Sequence, residues 1–302
     1  MKRVFFFLGK GGVGKSTLSA SLAYHLSHKG HKVYWASIDP AHNLYDILSL
    51  PPFMGVKQVE PCLWVEEVDI DAYLRLFLQE IETKTKHIYS YLQVLNLEKM
   101  FTLVKNAPGM EESAVLYALR DILTKHKDID YIIIDTPPTG LMLKIFTLPF
   151  VTKLWLEKLM KWRKTILDRR RSIAHIKGKD YFGKNTALEL KEDAVFQELK
   201  DQEKTVEFLQ TLLTNKEKTC FFLVLNPDKL SLIEGKRILE VLKTLNLHIA
   251  LILLNKTGFI PLSQRLNSFK NIPVKKIPFL GHNLDKDSLL KLATYWVEDV
   301  CQ

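Results

Sequence analysis

The sequence has few cysteines and keeps them apart. Cys62, Cys220 and Cys301 are the three in 302 residues, and no C-x-x-C pair occurs. That spacing excludes a disulfide framework and a zinc site of paired cysteines, so no zinc is expected. It points to a reducing, cytoplasmic setting. No stretch reaches the ~20 uninterrupted apolar residues of a membrane span. The N-terminal "MKRVFFFLGK" opens as a signal peptide would, but its apolar run stops at Gly9-Lys10, short of the roughly 7–15 residues required; it reads instead as a first buried strand. No internal repeat and no low-complexity linker are present. The net charge of +9 comes without any basic motif interleaved with aromatics, which leaves a lysine-rich surface and no nucleic-acid role.

What is there is ordinary for a globular chain. With 47% hydrophobic and 25% charged residues over 302 positions, the chain can bury a full core, as one large domain or a domain plus a subdomain. Apolar runs recur at Arg3–Leu8, Val33–Ile38, Leu63–Val68, Tyr131–Ile134, Cys220–Leu225, Ile249–Leu254 and Val274–Ile277. They do not alternate, as strands covered on both faces do not. Helical patterns at Lys15–Lys29, Glu112–Lys127, Leu230–Leu245 and Ser288–Val300 separate most of them. The fold class expected is α/β, a doubly wound and mostly parallel sheet. Two long helical stretches, Asp71–Val104 and Leu141–Asn215, break the rhythm. The domain reading is therefore a core of residues 1–70, 105–140 and 216–302, with a helical subdomain of 71–104 and 141–215. The loop His175–Asn185, with two glycines, reads as the most flexible segment.

Four pieces of the core carry chemistry. "GKGGVGKST" (Gly9–Thr17) follows the first strand and satisfies the phosphate-loop pattern with Gly9, Gly14, Lys15 and Ser16 in their places. Backbone N–H groups of Gly9, Lys10, Gly11, Gly12, Val13 and Gly14 and the start of the next helix suit a β-phosphate. Lys15 suits the terminal phosphates, and Ser16 suits Mg²⁺. Asp39 ends the second strand in "IDPAHNLYD", either as a carboxylate that orients an attacking water or as a helix N-cap before Pro40. "DYIIIDTPPTG" ends its strand at Asp135, in the form of a carboxylate that supports a metal through water, and Thr136–Gly140 form a loop able to sense a γ-phosphate. "LILLNKTG" sets Asn255 at a strand end. It resembles a guanine-reading N-K-x-D, but Gly258 stands where the aspartate would be, which favours ATP over GTP.

These pieces together resemble a known family. The loop with its extra lysine is shared by NifH, MinD, ParA and ArsA-type ATPases, the deviant Walker A group. "DPAHNLYD", "PGMEE" (Pro108–Glu112), "DTPPTG" (Asp135–Gly140) and "LP" (Leu148-Pro149) are similar to the ArsA and Get-type tail-anchored-protein targeting ATPases. NifH would need paired cluster cysteines, and MinD and ParA carry other residues after the second strand. The resemblance implies that Lys10 is the signature lysine that reaches the nucleotide of the opposite subunit. It implies Asp39 as catalytic carboxylate, Asp135 as metal-supporting, and Asn255 and Pro278 as adenine contacts. Since ArsA pumps fuse two such halves and this chain has one, it implies a nucleotide-dependent homodimer. The chain departs from the family pattern in two places. "TGFIPLSQRLNSFKN" has no zinc-binding cysteine, and Leu141-Met142-Leu143-Lys144 replaces the usual His-Thr-Leu-Arg.

The helical insert divides the functions. In "LPFVTKLWLEKLMKWRK", Lys153, Glu157 and Lys161 form one polar stripe, and apolar residues including Trp155 and Trp162 spread over the rest. The helix is either buried between neighbours or one wall of a groove for the apolar helix of a client or membrane-protein partner. "RKTILDRRRS" beside it is a solvated basic face, with peripheral contact to a membrane as the other reading. The leading expectation is a dimeric Mg-ATP-hydrolysing switch that binds and releases an apolar segment. The driving ATPase of an arsenite or anion pump and a non-enzymatic nucleotide-gated scaffold are the alternatives.

Overall fold

The computed structural model describes residues 3–39, 44–53, 55–88, 107–126, 128–182, 186–259, 269, 271–281 and 285–297. Its described strands are β1 (Arg3–Leu8), β2 (Val33–Ser37), β3 (Val56–Glu60), β4 (Leu63–Glu67), β5 (Tyr131–Asp135), β6 (Thr219–Leu225), β7 (Ile249–Thr257) and β8 (Val274–Pro278). They form one sheet in the order β3-β4-β2-β5-β1-β6-β7-β8. Every pairing is parallel except β3 with β4. The fold class is the α/β, doubly wound sheet that the apolar runs imply.

The triple Phe5-Phe6-Phe7 shows why those runs do not alternate. Successive strand residues face opposite sides, and both sides are covered here. Phe5 stacks on Phe222 at 5.6 Å, and Phe7 meets Trp296 edge-on at 5.9 Å. Phe6 stacks on Phe221 at 5.3 Å. All three are fully buried, each contributing about 1.5–3 kcal/mol by leaving water.

Helices α1 (Lys15–His28), α2 (Leu44–Leu48), α3 (Ile70–Ile88), α4 (Met110–Lys125), α5 (Thr139–Lys177), α6 (Ala194–Thr214), α7 (Lys229–Thr244) and α8 (Lys286–Thr294) complete the described elements, with a 3₁₀ turn at Lys179–Phe182. Three of them differ from expectation. The antiparallel edge strand β3, "VKQVE", has little buried surface and no apolar run to announce it. The helix expected to reach Val300 ends at Thr294, and residues 298–300 lie outside the described residues. Helix α5 runs through Pro149 and on to Lys177, so part of the expected loop His175–Asn185 is helical, while residues 183–185 are not described. The helical reading of Asp71–Val104 holds to Ile88; residues 89–106 again lie outside.

The chain divides into two compact units. One is Met1–Arg75, Pro108–Ile145 and Leu212–Gln302; the other is Leu76–Ala107 and Phe146–Thr211. Polar ties are conspicuous in the second unit. Asp193 caps α6 by accepting from the Phe196 N–H at 2.8 Å and takes a two-pronged bond from Arg163, at 2.9 and 2.6 Å. Burial pushes the Asp193 carboxyl up, but the Arg163 bond and the Phe196 N–H outweigh it and hold the group below its usual range. Gln210 donates to the Pro149 carbonyl at 3.1 Å. The face of α5 carrying Leu156, Leu167 and Ala174 is buried, whereas Val151, Trp155, Leu159, Trp162, Ile166 and Ile173 are exposed.

Candidate functional site

Ligands in open parallel sheets sit beyond the carboxyl ends of the strands, and there the candidate residues gather. In register, Phe7 pairs with Asp135 and Ser37 pairs with Asp135, so β1, β5 and β2 end level. The phosphate loop leaves β1, Asp135 closes β5, and Asp39 follows β2. Two cross-ties hold the edges together: Thr136 Oγ1 donates to the Phe7 carbonyl, and the Ile38 N–H to the Asp135 carbonyl at 3.0 Å.

The loop is built on glycine for two stated reasons. Gly9 runs against β6 so closely that a Cβ would lie 2.3 Å from the Val224 carbonyl oxygen. Gly14, the N-cap of α1, sits at φ 98° in the left-handed region, where side chains are strained. Helix α1 is tied to β2 at its first turn. The Trp35 indole donates to Ser19 Oγ at 3.1 Å, and the Ser19 hydroxyl donates to the Ser16 carbonyl at 2.9 Å.

A cleft of about 500 Å³ opens over the loop, with Gly11, Gly12, Gly14, Lys15, Ser16 and Thr17 on one side. Asp39 lines it as well, and so do Asn255 and Pro278. Gly9 and Val13 of the loop, and Asp135 at the end of β5, are buried rather than in the lining. Lys10 is exposed and is not among the cleft-lining residues. Among the described residues no hydrogen bond or ion pair holds its ammonium. Pro138, from the Thr136–Gly140 loop expected to sense a γ-phosphate, lines the cleft too, as does Asp46 at the end of the Asp39–Asp46 motif, whereas sequence reasoning missed Ile47, Lys256 and Phe279, which also line it. Only Lys256 had a signal, as the neighbour of Asn255.

Burial perturbs the two charged groups at the base of the cleft. Burial holds the Lys15 ammonium below its ordinary value, against the opposing pull of Asp135 and Asp39. Burial pushes the fully buried Asp135 up to about 7, although the Ser16 hydroxyl, Lys15 and the Thr136 N–H favour its ionised form. Those donors lie nearby, but among the described residues none meets either Asp135 oxygen with full hydrogen-bonding geometry. A buried carboxylate left this way calls for a partner. A divalent cation on Ser16, reached from Asp135 through water, fits these donors.

Asn255 is already engaged. Its Nδ2 donates to the Val13 carbonyl at 2.8 Å, and its Oδ1 accepts from the Lys256 N–H at 2.9 Å. One N–H and one lone pair of the amide remain for a base edge. Gly258 follows at φ 83°, with no carboxylate there to read guanine.

The family model for anion-transporting ATPases, ArsA_ATPase, matches residues 2–282. A putative arsenical pump-driving ATPase 2 of Aquifex aeolicus is 29% identical over 255 residues, covering 84% of this chain and 80% of that protein. A second Aquifex protein, putative arsenical pump-driving ATPase 1, is 28% identical over 84% of this chain but only 63% of its own length. An ATPase ASNA1 homolog of Entamoeba dispar is 29% identical over 91% of this chain and 82% of its own.

Proposed function

The chain belongs to the anion-transporting ATPase family, and from that premise we propose that it is a cytoplasmic, Mg²⁺-dependent ATPase working as a nucleotide-gated homodimer. In this reading its helical unit binds and releases an apolar helix of a client or membrane-protein partner. The observation that carries the ATPase half is the cleft itself. Its floor holds Lys15, Ser16 and, beneath them, an orphaned Asp135, and Asp39 stands on its lining.

Bound Mg²⁺ would neutralise charge on the phosphates that transfer. The chain's own groups do the rest. The loop N–H groups and the α1 N-terminus hold the phosphates, and Lys15, largely buried at the base of the cleft, meets the terminal ones. Asp39 accepts a proton from, or orients, the attacking water. Asn255 and Pro278 border the base. Lys10 is exposed and off its own cleft, which supports its acting on the nucleotide of a second copy, as a cation supplied in trans.

The client half rests on α5. Val151, Trp155, Leu159, Trp162, Ile166 and Ile173 recur at three-, four- and seven-residue steps, which puts them on one helical face. Trp155 is 56% and Trp162 59% exposed. Exposed aromatic side chains in such a row suit an apolar partner better than water. By length and composition α5 contains the single described stretch apolar enough to cross a bilayer, and a third of that stretch is buried. The solvated run Arg169–Arg171 leaves room for peripheral contact with a membrane.

The names of the relatives favour a second reading, the driving ATPase of an arsenite pump. Arsenite prefers clustered thiolates, and the cysteines here are widely spaced. Stimulation of ATP turnover by arsenite separates the two readings: a rise favours the pump, and no response with capture of an apolar helical peptide favours the client. Sedimentation without nucleotide, with ADP, and with Mg²⁺ plus a γ-phosphate mimic tests the switch. A monomer-to-dimer shift confined to the last condition is expected, and one unchanged mass throughout would refute it.

A further inference from the structure

Strand β7 does not end regularly. Leu254 pairs with Lys276 and Thr257 with Pro278 on β8, so Asn255 and Lys256 together stand opposite the single residue Ile277. The two-against-one count is a β-bulge. Lys256 takes the left-handed conformation at φ 56°, and the Thr257 hydroxyl closes the bulge by donating to the Ile277 carbonyl at 2.9 Å.

The bulge changes where two neighbouring side chains reach. On a regular strand consecutive side chains point to opposite faces. Here both go to the same place, the phosphate loop. Asn255 Nδ2 donates to the Val13 carbonyl at 2.8 Å, and Lys256 Nζ donates to the Gly12 carbonyl at 3.0 Å. Two successive loop carbonyls are thereby turned toward the end of β7. A trans peptide carries its N–H on the side opposite its C=O. Drawing the Gly12 and Val13 carbonyls to β7 therefore turns the Val13 and Gly14 N–H groups away from it. Among the described residues the Val13 N–H has only a long bond back to the Lys10 carbonyl, at 3.5 Å, which a phosphate oxygen readily replaces. Gly14 lines the cleft and has no Cβ to obstruct Asn255.

We infer that Asn255 and Lys256 are positioning residues for phosphate binding: the β7 bulge clamps the loop carbonyls so that its N–H groups are aimed before a nucleotide arrives. This builds on the ATP-binding reading of the cleft and gives Asn255 a task separate from any contact with the base. The clamp acts on the polyphosphate, so it is indifferent to which base is attached.

The test compares wild type, Asn255→Ala, Lys256→Met, Lys256→Arg and the Asn255→Ala/Lys256→Met double variant. Calorimetry follows Mg²⁺ complexes of ATP, GTP and inorganic tripolyphosphate. Each single variant except Lys256→Arg should lose about tenfold in affinity for all three ligands alike, the scale of one hydrogen bond to a charged or fixed group. Lys256→Arg, which keeps a cationic donor, should recover most of the loss. The double variant should lose less than the product of the singles, since both side chains hold one loop. In the nucleotide-free protein, the Val13 and Gly14 amide resonances should move in both losing variants. Lys256 is half-buried, so Lys256→Met carries the test if Asn255→Ala fails to fold. A loss confined to ATP would assign the pair to the base and overturn the clamp. Weakened binding with unmoved amide resonances would also overturn it, since the ammonium would then act directly on phosphate. A wild-type protein that binds none of the three would refute the ATP reading instead, while the nucleotide-free amide resonances would still decide the clamp.

Discussion

Gly14 and Asn255 pack with no room for a side chain between them: a Cβ on Gly14 would fall 2.4 Å from the Asn255 amide nitrogen. The contact comes on top of a left-handed φ of 98° at the same glycine. Two independent reasons for glycine therefore meet at one position. The neighbouring glycines separate them, since Gly12 has φ 77° with open space around its missing Cβ, and Gly11 has neither constraint.

The glycines consequently make a graded series. Gly11→Ala should keep stability and nucleotide binding close to wild type. Gly12→Ala should lose about 1–2 kcal/mol, the strain of a left-handed alanine. Gly14→Ala should lose more than that and bind nucleotide poorly, because Asn255 must also move. Urea unfolding and ATP titration check the order, and equal losses at Gly11 and Gly14 would contradict the loop geometry.

Asp39→Asn isolates the proposed chemical step. Asp39 lines the cleft but belongs neither to the loop nor to the base side. Nucleotide affinity should stay within a few-fold while turnover falls by about 10²-fold, the scale of losing a positioned acid–base group. A parallel loss of binding would make Asp39 a structural cap.

Asp135 predicts a pH dependence with a definite sign. Its carboxyl is raised from an ordinary 3.8 to about 7, so the folded protein holds a proton there that the unfolded chain has released. The stability this contributes is complete below pH ~4 and is lost as pH rises through about 7. The difference amounts to something on the order of 4 kcal/mol. Urea unfolding of nucleotide-free wild type and Asp135→Asn across that range measures it. The wild type should lose stability relative to the variant as pH rises, and a constant difference would contradict the assignment.

Trp155 and Trp162 test the exposed face of α5. Each is more than half exposed, and exposed substitutions usually change stability by no more than about 0.5 kcal/mol. Trp155→Ser/Trp162→Ser should therefore unfold like wild type yet lose capture of a fluorescent apolar helical peptide. A large drop in melting temperature would mean that the face is internal packing.

Much of this was legible in the sequence, because central parallel strands are apolar on both faces. Phe5, Phe6 and Phe7 cannot be read as anything half-exposed. The phosphate loop announces itself by local backbone needs, glycine at Gly9 and Gly14, which a short pattern captures. What stayed hidden depends on partners distant in sequence. Strand β3 has no apolar run, because among the described strands it lies at the sheet edge and pairs with β4 alone. The task of Asn255 in holding Val13 comes from a bulge set by the Leu254–Lys276 and Thr257–Pro278 pairs on either side of it, and no local pattern around "LLNKTG" encodes it. The exposure of Trp155 and Trp162 was equally out of reach, since an apolar helix reads the same whether its second face is covered or bare.

The central claim is that hydrolysis needs Lys10 from a second copy, and complementation measures it most directly. Lys10→Ala should bind nucleotide but turn it over slowly, as should Asp39→Asn. Mixed in equal amounts, they should regain about a quarter of wild-type activity, because random exchange gives heterodimers in which one site has its own Asp39 and its partner's Lys10. A lysine acting in its own loop leaves every site in the mixture without either the lysine or the carboxylate. An inactive mixture, with heterodimers verified by mass, would contradict the account.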